Sequence, residues 1–237
     1  MKLASIVPMT DVQRTFDGDY AMLLSHLSDY YVPAAFDNTN CYKIMDNSLI
    51  ELGGAVDMNM LVHAAMKCGA NEIILPDVFC DRKGTIDSVD SSLVWLHKRN
   101  MLSRFRLMVV CQGNNPNEFE ECFRHLSRYP EIHCIGIPKV AETLLPEGRP
   151  GFEYLWQGSS KVIHLLGCWT SLSEFLKYKH PENIRSADTC IPALNSIYCK
   201  GAWDARTQER TIDLIKDKLR EPDYTRITEE LRRFRLL

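Results

Sequence analysis

The chain has 237 residues, of which 45% are hydrophobic and 25% charged, with a formal net charge of −3. That size supports one substantial core, and that composition excludes wholesale disorder. A charge so near balance also excludes a partner drawn in by the overall field, so any phosphate contact must come from a local patch.

Nine cysteines include no C-x-x-C pair, and several (Cys68, Cys111, Cys134, Cys168) lie inside apolar segments. They read as buried reduced thiols rather than a disulfide framework or a zinc centre. The apolar run at the N-terminus is too short for a signal peptide, and nowhere do eighteen apolar residues follow one another. A cytoplasmic protein with no membrane span is expected.

In chain order, short apolar runs predict strands at Leu3–Val7, Tyr42–Met45, Glu72–Leu75, Arg106–Val110, His133–Ile137, Lys161–Leu166 and Asn183–Ala187. Between them, apolar residues at three- and four-residue spacing predict helices at Met58–Lys67, Ser88–Lys98, Asn117–Ser127 and Ser171–Tyr178. Parallel strands need crossover connections, which helices supply. Seven or eight such units predict one (β/α)8 TIM-like barrel domain spanning 1–237, possibly irregular; an open doubly wound sheet is the alternative. Two segments break the rhythm. Glu142–Ser160, rich in Pro and Gly, reads as a long binding loop with an aromatic cluster, Phe152, Tyr154 and Trp156. Residues 211–237 read as a helical extension packed outside the barrel, ending in a basic stretch.

The polar residue that ends each apolar run carries the functional signal. Tyr42–Met45 ends in Asp46, Ile73–Pro76 in Asp77, Leu107–Cys111 in Gln112 and Ile184–Ala187 in Asp188. In a (β/α)8 barrel the C-terminal strand ends open onto one face, where catalytic groups sit. A single Asp after a strand is commonly a helix N-cap. Three carboxylates on one rim instead repel one another and need a proton, a cation or a ligand donor. No histidine adjoins them in sequence, so a metal there would be a hard, magnesium-like ion.

The segments Asp46-Asn47-Ser48-Leu49-Ile50-Glu51, Leu75-Pro76-Asp77-Val78, Gln112-Gly113, Gly136-Ile137-Pro138-Lys139, His164-Leu165-Leu166-Gly167 and Arg185-Ser186-Ala187-Asp188-Thr189 occur in an order that resembles the tRNA-guanine transglycosylase superfamily. The resemblance is to its short, zinc-less branch, which includes the DNA 7-deazaguanine transglycosylases. It implies that Asp188 is the nucleophile at the sugar C1′ and Asp46 the general acid/base. It also implies that Asp77 and Gln112 bind the base edge, with Gly136, Leu166 and Gly167 lining the same slot. No metal or cofactor is implied. Ile50 stands where the resemblance places an aromatic lid, and the cysteine-rich zinc module is missing, which favours DNA over tRNA.

The chemistry suits these residue types. One carboxylate can trap an oxocarbenium-like centre while a second carboxyl moves the proton. The nucleotide must be single-stranded or flipped out, so phosphate contacts and a wedge are needed. Phe79, Arg82, Lys83, Lys139 and Trp169 are the candidates, each equally compatible with a structural role. The expected function is cleavage of an N-glycosidic bond in DNA, with two outcomes left open: excision by water, or exchange with a free base as co-substrate. The alternatives are base exchange on RNA, a metal-dependent barrel enzyme for a small metabolite, and a nucleic-acid-binding relative without activity.

Overall fold

The computed structural model describes residues 1–167, 171–205 and 211–234. Eight parallel strands form one sheet: β1 (Lys2–Ser5), β2 (Tyr20–Leu24), β3 (Tyr42–Asp46), β4 (Glu72–Ile74), β5 (Arg106–Val110), β6 (Ile132–Pro138), β7 (Val162–Leu166) and β8 (Ile184–Thr189). Their order, β1-β8-β7-β6-β5-β4-β3-β2, wraps into a (β/α)8 TIM-like barrel. It is nearly closed. β1 pairs with β8, while no backbone ladder seals β1 to β2.

The helices are α1 (Ser28–Asp37), α2 (Leu49–Leu52), α3 (Met58–Lys67), α4 (Arg82–Lys98), α5 (Pro116–Leu126), α6 (Glu153–Trp156), α7 (Ile191–Ile197) and α8 (Glu221–Arg233), with short 3-10 turns completing several connections. Alternation along each strand sorts side chains to two faces. Leu107 and Val109 of β5 face the helices, and Met108 and Val110 face the barrel interior. Ile163 and Leu165 of β7 likewise face outward and pack with the helices. The inner apolar layer is Ala4, Tyr20, Met22, Ile44, Ile74, Met108, Val110 and Cys134.

Four sequence expectations change. The strand Tyr20–Leu24 was not anticipated, because Ala, Met and Leu are helix formers and a short run without β-branched residues has no strand signature. Ser171–Tyr178 supports only a 3-10 turn, Leu172–Leu176. The Glu142–Ser160 segment is not an open loop but carries 3-10 turns and the short helix α6. Phe152 and Trp156 are fully buried, packed on Phe119 and Phe123 of α5 at ring separations of 4.6 and 6.3 Å. Burial of the two large rings against a helix turns the segment into a wall of the outer core.

The C-terminal extension is helical only from Glu221, where a proline opens the first turn. Before that, the backbone docks on the turn after β1. Met9 N donates to Leu214 O at 2.7 Å, and Leu219 N to Asp11 Oδ2 at 2.9 Å. α8 itself buries Tyr224, Ile227 and Leu231 on the outside of the barrel. Among the described residues no helix is long and apolar enough to cross a membrane.

Candidate active site

A cavity of about 190 Å³ opens at the C-terminal ends of the strands. Asp46, Asp77, Gln112, Leu166, Gly167 and Asp188 all line it, together with Phe79 and Lys139. Residues separated by more than a hundred positions thus meet in one slot because parallel strands deliver all their C-terminal ends to one rim. Its apolar walls include Ile6, Met22, Leu24, Val110 and Ile50, and Ile212 and Leu214 reach in from the C-terminal segment.

The rim carboxylates are not there to cap the helices that follow. α3, α4 and α5 carry their own caps: Asp57, Asp81 and Asn115 accept from Met60 N, Gly84 N and Glu118 N. Asp188 makes no cap to α7. Asp46 does stabilise a local turn, accepting from Ser48 N at 2.7 Å, and Ser48 adopts a left-handed φ of 58° that this bond supports.

Asp77 and Gln112 form one preset unit. Asp77 Oδ1 accepts from Asn47 Nδ2 at 2.7 Å and Oδ2 accepts from Gln112 Nε2 at 2.6 Å. Cys80 N donates to Gln112 Oε1 at 3.0 Å, which fixes the orientation of the amide. Two acceptor lone pairs on Asp77 and one N–H on Gln112 therefore remain to face a ligand.

Electrostatics separate the carboxyls. Burial pushes Asp46 well above the usual carboxylate range, and repulsion from Glu51, Asp188 and Asp77 adds to it, against the Ser48 hydrogen bond. Burial pushes Asp77 up to about 6, opposed by the amides of Gln112 and Asn47. Glu51 is raised by burial and by Asp188, with Lys139 pulling it back. Burial thus favours the protonated form of Asp46 in a cavity it shares with Asp188.

Asp188 is 5% exposed, and its Oδ1 lies 2.9 Å from Nε2 of the fully buried His164. Sequence adjacency concealed this neighbour, since the two sit on adjoining strands 24 positions apart. Strand alternation was the available signal: His164 is polar at a position whose flanking residues, Ile163 and Leu165, face outward. Asn47, Glu51, Ile212 and Leu214 are further cavity residues that the strand-end pattern did not single out.

Other expected residues fall elsewhere. Gly136 lies beneath the slot: a Cβ there would meet Leu166 Cδ1 at 2.6 Å, so its missing side chain is the space Leu166 occupies. Gly167 has a φ of +65°, and a Cβ on it would press the Lys139 stem at 3.3 Å. Arg82 and Lys83 do not line the cavity. Both belong to the first turn of α4, which directs them to its surface, and Arg82 pairs with Glu121. Phe79 is 51% exposed at the rim. Trp169 lies outside the described residues.

Among the described residues, no group of three or more His, Cys, Asp or Glu side chains is arranged to hold a metal ion. The arrangement gathers carboxyls and an amide in one largely apolar slot, groups suited to acid–base and nucleophilic chemistry. No protein-family model matches the chain, and no curated protein matches it.

Proposed function

We propose that this chain cleaves the N-glycosidic bond of a nucleobase in DNA, with Asp188 as nucleophile and Asp46 as general acid. The observation that carries the reading is the meeting of two carboxyls, Asp46 and Asp188, in one slot above a preset recognition edge. Asp46 is driven toward its protonated form, Asp188 is anchored through one oxygen by His164, and Asp77 with Gln112 face the same slot. A carboxyl raised by burial and set in one cavity with a second carboxyl is a candidate acid.

In the first step the Asp188 carboxylate bonds to C1′ as the C1′–N bond breaks, and the leaving base takes the Asp46 proton. In the second, Asp46 as carboxylate removes a proton from the incoming nucleophile, which bonds to C1′ and releases Asp188. Water gives excision; a second free base gives exchange. The two Asp77 lone pairs and the Gln112 N–H suit a base edge carrying adjacent N–H groups beside a carbonyl. Exposed Phe79 is the candidate wedge for a flipped nucleotide, and Lys139 the cation closest to hand in the cavity wall.

The direct test incubates the protein with unmodified and 7-deazaguanine-containing DNA, and with tRNA. It scores released base, abasic sites and incorporation of labelled base. Release from DNA without incorporation identifies excision, incorporation identifies exchange, and activity on tRNA alone moves the substrate to RNA. Loss of activity on adding a chelator would overturn the metal-free scheme.

Two variants probe the slot. Asp46→Asn keeps an acceptor for Ser48 N but removes the acid. Base release at pH 7 should fall about 10²- to 10⁴-fold, while an amide that takes up no proton on folding raises stability by on the order of 1 kcal/mol. An active Asp46→Asn protein would remove the acid role. Gly136→Ala should push Leu166 into the slot, raising KM about tenfold with kcat little changed, for a stability loss of about 1 kcal/mol. A kcat-borne loss with KM unchanged would mean that Leu166 does not wall the base.

A further inference from the structure

A chain of polar groups runs through the barrel interior beneath the cavity, and its order is set by what each group can donate. Tyr42 OH and Arg185 Nη1 both donate to Glu72 Oε2, each at 2.7 Å. Arg185 Nε donates to Ser186 Oγ at 3.0 Å. Ser186 Oγ lies 2.8 Å from His164 Nδ1, and His164 Nε2 lies 2.9 Å from Asp188 Oδ1. Glu72 and His164 are both fully buried.

A guanidinium only donates, so the Ser186 oxygen is an acceptor toward Arg185 and its hydrogen is free to point at Nδ1. A proton on Nδ1 would instead leave a bare Nε2 lone pair facing the Asp188 carboxylate. With the proton on Nε2, both contacts are satisfied. The ring is further fenced by Tyr20, edge-on at 6.1 Å, whose hydroxyl donates to Ala187 O. Burial also lowers the His164 pKa, with Asp188 pulling the other way, consistent with a neutral ring.

We propose that His164 is the positioning residue for Asp188: locked as the Nε2–H tautomer by Ser186 and Arg185, it ties down Oδ1 and turns Oδ2 toward the reacting sugar carbon. The kinetic consequence rests on the base-release reading above, whereas the tautomer does not. A neutral donor holds the carboxylate without cancelling its charge by proton transfer, and a rigid buried ring removes rotation about the Asp188 side chain. Misplacing an attacking atom by about 1 Å costs about 10²-fold in rate.

The test has two arms. In the first, ¹⁵N NMR of the labelled full chain reads the His164 ring. A protonated Nε2 with a bare Nδ1 at pH 7 is expected, and a proton on Nδ1 or on both nitrogens overturns the proposal. In the second, single-turnover and steady-state base release are compared in the wild type, His164→Phe and His164→Gln. The phenylalanine variant should lose about 10²-fold in kcat with KM little changed. Glutamine, whose amide N–H reaches the Nε2 position, should recover at least tenfold of that loss. Equal losses in both variants, or a loss carried by KM, overturn the positioning role. If the wild type releases no base, the function reading fails and the NMR arm alone decides the tautomer.

Discussion

Replacing Asp188 by asparagine is expected to lower single-turnover base release by on the order of 10⁴-fold or more, with the fold intact. Removal of a covalent nucleophile leaves only the binding and positioning terms of catalysis. Asparagine is the informative substitution because its carbonyl can still accept from His164 Nε2, the 2.9 Å contact that holds Oδ1 of the native side chain. Asp188→Ala should be equally inactive but less stable by about 1–2 kcal/mol, since the buried His164 donor loses its acceptor. Thermal unfolding of the two variants beside labelled-base release separates the effects. Undiminished release in either variant would remove Asp188 from the mechanism.

Replacing Arg149 by methionine should give the largest loss of stability, about 3–5 kcal/mol. The guanidinium is fully buried and grips Glu174 through Nε and Nη2 at 2.7 and 2.8 Å. Its remaining hydrogens go to Ile137 O, Leu166 O and Gly167 O, at the ends of β6 and β7 where the slot is built. Methionine leaves those carbonyls and the Glu174 carboxylate without this partner. Glu142, already pushed up to about 7 by burial and by Glu174, would then share a proton with it.

The sign of the pH effect follows. A buried carboxyl whose folded pKa is raised holds protons that the unfolded chain has released, so its contribution to stability declines as pH rises through that window. Arg149→Met should therefore be weaker relative to wild type at pH 8 than at pH 5, measured by urea unfolding. A loss below 1 kcal/mol would show that the clamp is dispensable, and a loss independent of pH would show that Glu142 and Glu174 do not come to share a proton. In the wild type, Asp77 (about 6) and Glu142 (about 7) each lower stability as pH rises from about 4 toward 7.

Much of the barrel was legible because several strands, such as Arg106–Val110 and Val162–Leu166, carry buried β-branched residues and helices such as Pro116–Leu126 are amphipathic. Met58–Lys67 and Arg106–Val110 match their expected bounds. Tyr20–Leu24 escaped because its residues favour helix locally and only pairing with β3 makes them a strand. The 211–220 segment escaped for a related reason. Ile212, Ile215 and Leu219 stand at helix-like spacing, but the place of the segment is set by bonds to Met9 and Asp11, about two hundred positions away.

The amino-acid sequence by itself determined where apolar runs stop and which polar side chain stands at each stop, and hence that Asp46, Asp77, Gln112 and Asp188 share a rim once the strands are parallel. That information is local, written in residue type and spacing. Only the tertiary structure decided what each carboxyl meets there: an amide pair for Asp77, a turn and crowded neighbours for Asp46, and a buried imidazole for Asp188. Protonation and aim depend on burial and on partners contributed by other strands. Those arise when the sheet curls shut and brings separate strands within hydrogen-bonding reach.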